Sequence, residues 1–474
     1  MGSGSTGITL VLDTPETYEA ERRYVLDVLL TDRLGVQWQQ RTHDAPDVRI
    51  TVKGEEAAGH IVVPDVLFAV APRDWLTPAS LPRRPIAWRP VPTTDGDTGE
   101  RLPVLYGPRP APPSLVWEDG PAVHLGVDVF GSAFFMLTRY EEIVVPTRDS
   151  YLRFPAASSV AAAEGFLGIP IVDAYVELLW DALRRRWPRL TRPAAAFRLS
   201  LTHDVDRPLS FLGRGVKGRL RQLAGDALVR RDPGLMLTRV RSWPRSARGD
   251  YSLDPDNTFD FLMGVSERHG VASAFYFLAT ENVSFIDGYY TLDLPWIRRL
   301  LTTMHERGHE IGFHGGFDAY RDVRRTKAEF SRLQTAATDA GVRQDSWGGR
   351  QHYLRWDNPD TWATWDQAGL DYDSTLAFAE RPGFRAGTCH EFRPFHLRER
   401  RPLRVRERPL TVMDATLDSM RLSPDAAAAT VLDLARQCRR YGGRFTLLWH
   451  NSQVPTPRER RWYAELVDAV AAGG

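Results

Sequence analysis

From Phe197 onward the sequence alternates short β-branched or aromatic runs with amphipathic helical stretches. Strands that alternate with helices in this way are typical of βα units, which build a parallel sheet or barrel. Seven runs are strand candidates, fewer than the eight of a standard (β/α) barrel. They begin at Arg198, Ala272, Glu310, Asp345, Asp371, Leu410 and Phe445. We therefore predict an α/β fold built on a parallel sheet or barrel of about seven strands.

The first half of the chain has a different character, with short apolar runs joined by proline-rich connections. Residues 172–183 carry apolar side chains at helical spacing. We expect a smaller α/β domain over residues 1–194 and the barrel domain over 195–474. Pro188 and Pro193 mark the linker between them.

No catalytic constellation stands out in the first half. Arg139, Glu141 and Glu142 are interpreted as an exposed, salt-linked helix end rather than as a functional site.

Composition excludes several classes of protein. The chain has 474 residues, of which 43% are hydrophobic and 26% charged, and this balance excludes intrinsic disorder. Lys and Arg number 61 against 60 Asp and Glu, so no global charge attracts the chain to nucleic acid or to an anionic membrane. Only the charge of individual segments of the chain can therefore indicate a partner.

Two further features bear on compartment and redox state. Cys389 and Cys438 are too few for a disulfide scaffold and lack the spacing of a zinc knuckle, so both are expected to be ordinary thiols. Residues 1–7 lack the basic and apolar regions of a secretory signal, and no run is long enough to span a membrane. The sequence therefore predicts a cytoplasmic protein.

Polar residues fall at the carboxyl ends of the predicted strands, where βα barrels build their active sites. The first strand ends in Asp204 and Asp206, which share one face of an extended chain because they are two residues apart. Two carboxylates on one face of an apolar strand need a cation or hydrogen bonds to satisfy them. The alternative is a pair that only caps the following turn.

Three other predicted strands end in residues that can bind a metal or take part in catalysis at the same edge. His314 ends the strand that begins at Glu310, and two glycines after it permit a turn that returns Asp318 toward it. A His and carboxylates with open positions suit a catalytic divalent ion better than a closed structural site. Arg350 can orient a carboxylate, and His450 is suited to act as a general acid.

These motifs together resemble a known family. Taken in order, Thr202-His-Asp-Val-Asp, His309-Glu-Ile-Gly-Phe-His, Gly349-Arg and Leu448-Trp-His are similar to the motifs of the NodB-type polysaccharide deacetylases, carbohydrate esterase family four. The resemblance covers roughly residues 197–460. It implies a deformed (β/α)7 TIM-like barrel whose divalent metal, held by one Asp and two His, activates water to remove an N- or O-acetyl group. Other segments resemble a bacterial branch with an added N-terminal α/β domain.

The resemblance implies a role for each matching residue. Asp204 corresponds to the catalytic base, Arg350 to the arginine that tethers it and His450 to the catalytic acid. Asp206 and His314 correspond to metal ligands.

Asp318 stands where the family has its second His, so the expected ligands are Asp206, His314 and Asp318. Zn²⁺ is the expected ion, with Co²⁺, Mn²⁺ or Ni²⁺ as alternatives. His203 and Asn451 also depart from the family, which has Phe and Asp at these places.

The substrate side of the prediction rests on a basic insertion. Residues 207–250 contain eleven Arg or Lys and three Asp, and form either a solvated amphipathic helix pair or a lid for an anionic ligand. Tyr353, Asp373 and Trp449 are the candidate substrate contacts. Trp347, Trp356 and Tyr372 are further aromatic residues able to stack on a sugar ring.

The sequence thus predicts a metal-dependent hydrolase that deacylates a carbohydrate or glycoconjugate precursor and has no nucleic-acid partner. Two alternatives stay open: a non-sugar amidohydrolase, and a binding or scaffolding protein that has lost catalysis. The second is prompted by Asp318 and Asn451.

Overall fold

The computed structural model describes residues 8–93, 96–281 and 283–473. Residues 1–7, on which part of the cytoplasmic prediction rests, lie outside them. The chain forms two compact units. The first comprises the residues up to Arg148 together with Phe154–Ala196 and Phe384–Arg404. The second comprises Asp149–Arg153, Phe197–Gly383 and the chain from Val405 onward.

Strands and helices alternate along most of the chain. The strands are β1 (Thr9–Thr14), β2 (Gln37–Thr42), β3 (Asp47–Val52), β4 (His60–Pro64), β5 (Ala87–Thr93), β6 (Gly96–Val104), β7 (Val116–Asp119), β8 (Ala122–Leu125), β9 (Arg198–Val205), β10 (Ala274–Leu278), β11 (Glu310–Gly315), β12 (Gly348–Gln351), β13 (Tyr372–Asp373), β14 (Phe395–His396), β15 (Arg401–Pro402), β16 (Arg406–Glu407), β17 (Val412–Met413) and β18 (Arg444–Leu448). The α-helices are α1 (Glu19–Leu26), α2 (Val129–Leu137), α3 (Tyr140–Val144), α4 (Val160–Ala163), α5 (Ile171–Arg186), α6 (Val216–Leu228), α7 (Pro233–Ser246), α8 (Phe259–Arg268), α9 (Pro295–Glu306), α10 (Val323–Asp339), α11 (Asp360–Ala368), α12 (Asp414–Ser419), α13 (Pro424–Arg440) and α14 (Pro457–Ala472).

The first unit is built on a mixed six-stranded sheet in the order β2-β1-β3-β4-β8-β7. Strand β3 shows the period-two pattern of a sheet with one buried face, because Val48 and Ile50 are buried while Arg49 between them is exposed. Helix α2 is buried along its whole length, and Asp128 caps its start by accepting a hydrogen bond from Gly131 N at 2.7 Å. These elements give the unit a core of its own.

The charged group at residues 139–142 is salt-linked but buried, not exposed. Arg139 donates to Glu141 and to Glu142, each at 2.8 Å, and Arg385 donates to Glu142 at 2.5 and 2.9 Å. Burial raises the pKa of Glu142, but the two guanidinium groups lower it by more, so the carboxylate stays charged. The group is an internal ion-pair network that ties Phe384–Arg404 to the rest of the first unit.

The second unit contains eight parallel strands in the order β16-β13-β12-β11-β10-β9-β18-β17. Its two end strands, β16 and β17, follow one another in sequence and are joined by residues 408–411. A connection of this length spans at most about 18 Å, so the ends of the sheet approach each other and the sheet curls. The result is an open, TIM-like half-barrel in which the carboxyl ends of all eight strands lie on one edge.

The seven predicted strands are present, and β16 is an eighth that the sequence did not predict. It is two residues long and carries Arg406 and Glu407, so it has no apolar run to mark it. It is defined by pairing, since Tyr372 of β13 lies opposite Arg406.

Helices separate most of the strands, and several of them bury one apolar stripe against the sheet. In α9 the buried residues Ile297, Leu300, Leu301 and Met304 follow the spacing of a single helical face. The basic insertion folds as two helices, α6 and α7, between β9 and α8. In the described part of the chain, no helix combines the length and apolar character needed to cross a membrane.

Candidate metal centre and active site

The polar residues predicted at the strand ends meet at one edge of the parallel sheet. Asp204 lies near the end of β9, His314 near the end of β11, Arg350 in β12 and His450 just after β18. Parallel strands place their carboxyl ends side by side, which is why residues far apart in sequence come together here. Gly349 helps, because a Cβ at this position would collide with the carbonyl oxygen of Phe313 on β11. The absence of a side chain lets β12 lie against β11.

Asp204 is held by a fully buried arginine. Arg350 Nη1 donates to Asp204 Oδ1 at 2.7 Å. The same nitrogen donates to the hydroxyl of Thr202 at 3.1 Å, and Nε and Nη2 donate to the carbonyl and hydroxyl oxygens of Ser374 at 2.8 and 3.1 Å. A guanidinium fixed from several sides holds one carboxylate oxygen in place. The other oxygen, Oδ2, lies 3.8 Å from His314 Nε2.

Asp206, His314 and His352 form a possible metal-ligand group, with one candidate ligand atom from each residue within 4.8 Å of the others. Asp206 Oδ1 lies 3.1 Å from His314 Nε2 and 3.5 Å from His352 Nε2. Asp206 Oδ1 and His314 Nε2 are both buried without a hydrogen-bond partner. Buried polar atoms are normally satisfied, so two unsatisfied atoms facing each other fit a cation that would bind both.

Backbone and carboxylate contacts orient the two imidazoles. His314 Nδ1 lies 2.8 Å from the carbonyl oxygen of Arg350, which can only accept, so Nδ1 carries the proton and Nε2 presents a lone pair in the neutral ring. His352 Nδ1 lies 3.1 Å from Asp287 Oδ1, and Asp287 is itself fixed by accepting from Phe317 N at 2.7 Å. Oriented His ligands with carbonyl or carboxylate partners are the usual arrangement around protein-bound metals.

The charges of this group stabilise one another. Burial raises the pKa of Asp206, but the imidazoles of His352, His314 and His450 lower it by more, to well below its usual range. Burial lowers the pKa of His352, whereas Asp206 and Asp287 raise it, to about 9. The protonated ring of His352 is thus favoured by the two carboxylates beside it, those of Asp206 and Asp287.

The structure does not bring Asp318 to this group. Its side chain is 63% exposed and its carboxylate lies 2.9 Å from Arg355 and 3.6 Å from Arg325. The turn after β11 does not return toward His314, because Phe317 N and O are tied to Asp287 and Arg355. His352, from the neighbouring strand, takes the place expected for Asp318, with its ring centroid 4.9 Å from that of His314.

His450 is positioned by a carboxylate that directly follows β17, the strand next to β18. Its Nδ1 lies 2.7 Å from Asp414 Oδ1, and its backbone N donates to Asp414 Oδ2 at 2.6 Å. The free Nε2 lies 3.5 Å from Asp206 Oδ2. Burial lowers the pKa of His450, but Asp414 and then Asp206 raise it, to about 10. These carboxylates therefore favour the protonated ring of His450, and its outer nitrogen faces the candidate ligands.

Asn451 holds a backbone loop in place at this site. Its side-chain nitrogen donates to the carbonyl oxygens of Arg207, Pro208 and Asp256, at 2.8 to 3.4 Å. A carboxylate could not donate to carbonyl oxygens, so an amide is required to brace the loop that follows Asp206.

His203 is buried beneath the site. Its burial makes the free energy of unfolding depend on pH. Its Nδ1 lies 2.7 Å from the carbonyl oxygen of Trp449, and burial lowers its pKa from 6.5 to about 4. The folded protein therefore binds this proton less readily than the unfolded chain, and the unfolding free energy falls as the pH drops from 6.5 toward 4.

Between about pH 7 and pH 5, the lowered pKa of His203 should reduce the free energy of unfolding by about 2 kcal/mol. Urea denaturation at both pH values measures it. In a His203→Phe variant the loss should be smaller by that amount, and an unchanged loss would contradict the assignment.

A cavity of about 400 Å³ opens at the carboxyl edge of the sheet. Its walls include Asp204, Asp206, His314, His352 and His450. Further wall residues are Arg153, Arg207, Arg214, Phe285, Tyr289 and Tyr353. Four of the six predicted catalytic and ligand residues thus line a space of ligand size, whereas Arg350 and Asp318 are not part of its walls.

Of the three candidate substrate contacts, one lines this cavity. Tyr353 forms part of the wall, and its ring stacks on Tyr151 with centroids 5.3 Å apart. Asp373 is fully buried in β13, where it accepts from Thr375 N at 2.9 Å. Trp449 packs against Trp462 and lines a separate cavity. Asp373 and Trp449 are therefore placed for packing rather than for contact with a ligand in the first cavity.

His352, Asp414 and Asp287 belong to the site but were not predicted from the sequence. For His352 a signal exists, since it lies two residues after Arg350, just as Asp206 lies two residues after Asp204. Asp414 also directly follows a predicted strand. Asp287 lies in a loop, where the pattern gives no indication of its position.

Comparisons with known proteins add little to this geometry. Residues 10–188 match a family described as "Family of unknown function (DUF7033)". No curated protein sequence matches the chain significantly. Among solved structures, the chain is similar to one described as "Crystal structure of putative polysaccharide deacetylase from Mycobacterium smegmatis". The two share 18% identity at a TM-score of 0.38, over 60% of this chain and 86% of the other. A likeness of this size carries no functional argument, which has to come from the site itself.

Proposed function

We propose that the protein is a metal-dependent hydrolase that removes an acetyl or other N-acyl group from a carbohydrate or glycoconjugate. One observation carries the proposal: an arginine-paired carboxylate, Asp204, and a carboxylate-paired imidazole, His450, each lie within 4 Å of the Asp206–His314–His352 group. A base and an acid next to a candidate metal site are the parts that metal-assisted amide hydrolysis requires.

The candidate ligands fit an ion of the zinc type. One carboxylate and two imidazoles leave coordination positions open for water and substrate, as catalytic zinc sites do. Asp206, His314 and His352 would hold the ion, with Co²⁺, Mn²⁺ or Ni²⁺ as alternatives to Zn²⁺. When bound, it would polarise the acyl carbonyl and lower the pKa of a water ligand.

Asp204 is proposed as the general base. Arg350 occupies its Oδ1, so Oδ2, on the side of His314, is the oxygen that can take a proton from the attacking water. The hydrogen bond from the buried Arg350 prevents the carboxylate from rotating away.

His450 is proposed as the general acid. Asp414 holds its Nδ1 side and favours the protonated ring, so Nε2–H faces the cavity and can protonate the departing amine. Asp414 is thus a positioning residue that acts through His450.

The cavity favours a substrate with an anionic group. Arg207 and Arg214 line it, and in the described part of the chain neither forms an ion pair. The pKa of Arg214 is lowered by burial and by its proximity to Arg207, which means that the two positive charges repel each other. A phosphate or carboxylate on the substrate would relieve this repulsion.

We expect an Arg207→Gln/Arg214→Gln variant to raise KM for an anionic acylated sugar by about tenfold or more, with little change in kcat. The two arginines contact a remote part of the substrate in this proposal, so binding is lost rather than chemistry. Steady-state kinetics on a phosphorylated and an unphosphorylated sugar measures the effect. Equal changes in KM for both sugars would contradict an anion subsite.

The proposal is tested by measuring acetate release from acetylated sugars, with N-acyl amides that are not sugars as a parallel panel. The protein is assayed after loading with Zn²⁺, Co²⁺ or Mn²⁺ and again after chelation. Metal-dependent acetate release from a sugar is the expected result. Hydrolysis of the other amides alone would indicate a different amidohydrolase, and no hydrolysis with any ion would contradict the enzymatic proposal.

Two departures from the deacetylase motifs prompted the alternative of a binding protein without catalysis. Both have another explanation in this geometry. His352 can supply the second imidazole that Asp318 does not, and Asn451 braces the loop after Asp206. These observations support the catalytic proposal.

A further inference from the structure

The two helices of the basic insertion expose an unusual amount of apolar surface. In α6 the side chains of Val216, Leu220 and Leu228 are 63%, 54% and 76% exposed. Val216 and Leu220 are four residues apart and share one face of the helix, and Leu228 lies about 80° from Leu220 around the helix axis. Val229, directly after the helix, is also exposed. An exposed apolar stripe on a folded helix indicates an interaction surface.

Helix α7 repeats this arrangement. Leu237 and Val240 are exposed and three residues apart, which again places them on one face. The opposite face is anchored, because Leu235, Arg239 and Ser242 are buried. We call α6, α7 and the turn between them, residues 216–246, the basic hairpin.

The buried contacts of the basic hairpin are sufficient to hold its two helices together. The exposed apolar residues take no part in them. Arg239 donates to Asp226 of α6 at 2.6 and 2.8 Å and to Asp256 at 2.7 Å. All three side chains are buried, so the ion pairs fix the two helices to each other and to the chain before α8. The exposed apolar residues are not needed for this packing.

Basic side chains accompany the stripes. Lys217 and Arg221 each follow a stripe residue of α6, and Arg241 lies four residues after Leu237 in α7. Arg230 and Arg231 occupy the turn between the helices. Burial raises the pKa of Asp418, and Arg230 lies close enough to that carboxyl to lower it in part. In the described part of the chain the other four side chains take part in no ion pair, so their charges are available to an external partner.

We infer that the basic hairpin docks on the surface of an anionic lipid bilayer, with its apolar stripes in the interface and its Lys and Arg side chains among the headgroups. Helices that carry an apolar face flanked by Lys and Arg bind bilayers in this way, without spanning them. Each basic side chain near an anionic bilayer adds to the attraction. The inference does not depend on the proposed hydrolase activity.

Charge argues against two other occupants. A second copy of the basic hairpin in a symmetric contact would place the same positive charges opposite each other. A nucleic acid would satisfy the Lys and Arg side chains but leave Leu220, Leu228 and Leu237 in water. An anionic bilayer satisfies both the charges and the apolar stripes.

The basic hairpin begins next to the cavity that contains the candidate site. Arg214, two residues before α6, lies over the ring of Tyr289 at 5.4 Å, and both residues line that cavity. Phe285, in the same loop as Tyr289, is 78% exposed and also lines the cavity. Docking through the hairpin would therefore hold the mouth of the cavity near the lipid headgroups.

Sedimentation of the full-length protein with vesicles tests the inference. The vesicles are phosphatidylcholine alone, or phosphatidylcholine with about one-third phosphatidylglycerol. We expect binding to the anionic vesicles that weakens as salt is raised, and much weaker binding to the neutral ones. One variant removes the stripe (Leu220→Gln/Leu228→Gln/Leu237→Gln) and another reverses charges (Arg221→Glu/Arg241→Glu). Each should lower the partition coefficient by about tenfold or more.

Matched controls change exposed residues outside the hairpin. Met420→Gln matches the stripe variant, and Arg299→Glu/Lys327→Glu matches the charge variant; both should bind as the parent does. Circular dichroism checks that each variant is folded. Absence of vesicle binding, or equal effects of hairpin and control variants, would overturn the inference. A lipid-independent dimer that dissociates in the stripe variant, seen by sedimentation velocity, would also overturn it.

Discussion

Replacing His352 by alanine is expected to lower the affinity for Zn²⁺ by more than about 100-fold, because it removes one of three candidate ligands. Asp318→Ala should change the affinity little, since its carboxylate pairs with Arg355 and Arg325 away from the group. The two variants separate the candidate ligand set that includes His352 from the set with Asp318 that the sequence predicts. Titration against a competing chelator, with elemental analysis of the purified proteins, measures both.

The contrast between these variants decides the ligand assignment. A large loss in Asp318→Ala with none in His352→Ala would mean that the turn after β11 rearranges on binding the ion. His314→Ala serves as the positive control, because His314 belongs to both ligand sets. Circular dichroism establishes that the loss of a buried imidazole has not unfolded the second unit.

Asp204→Asn is expected to lower kcat by about 10²–10⁴-fold, the usual range for removal of a general base. An amide oxygen can still accept from Arg350, but it cannot take a proton from water at neutral pH. Zn²⁺ affinity should stay close to that of the parent, because Asp204 is not one of the three candidate ligands. Kinetics with an acetylated substrate, together with Zn²⁺ titration, measures the two properties separately.

Loss of the negative charge leaves Arg350 buried without its ion-pair partner, which can destabilise the fold. His450→Gln is therefore the companion variant, since it removes the proposed acid and leaves the Asp204–Arg350 pair intact. It should lower kcat over the same range. A variant at either position that stays as active as the parent would refute its assigned role.

Much of the candidate site could be predicted, because the carboxyl ends of parallel strands lie side by side regardless of the conformation of the loops. Asp204, Asp206, His314, Arg350 and His450 needed only the strand assignment and the period of two. The prediction for Asp318 depended instead on the path of a turn. That path is set by hydrogen bonds from Phe317 to Asp287 and from Arg355 to Phe317, residues 30 and 38 positions away in sequence. A local pattern does not contain such contacts.

The same holds for the fold: local patterns predicted some elements, whereas others depend on contacts between residues that are distant in sequence. Apolar runs revealed seven strands, whereas β16 consists of two charged residues and exists through its pairing with β13. Phe384–Arg404 packs with the first unit, although it follows most of the second in sequence. No change of composition marks it, because what fixes it is a set of buried pairs such as Arg385 with Glu142.

That late segment also sets the order in which the chain can be completed during synthesis. Besides Arg385, it contributes Cys389, whose backbone N donates to the buried Asp173 at 2.8 Å, and Arg400, which donates to the buried Glu21 at 2.7 and 2.9 Å. Until residue 404 has left the ribosome, three buried carboxylates of the first unit lack part of their hydrogen bonding. The first unit to be translated is thus finished only after most of the half-barrel has emerged, and the two must mature together rather than in turn.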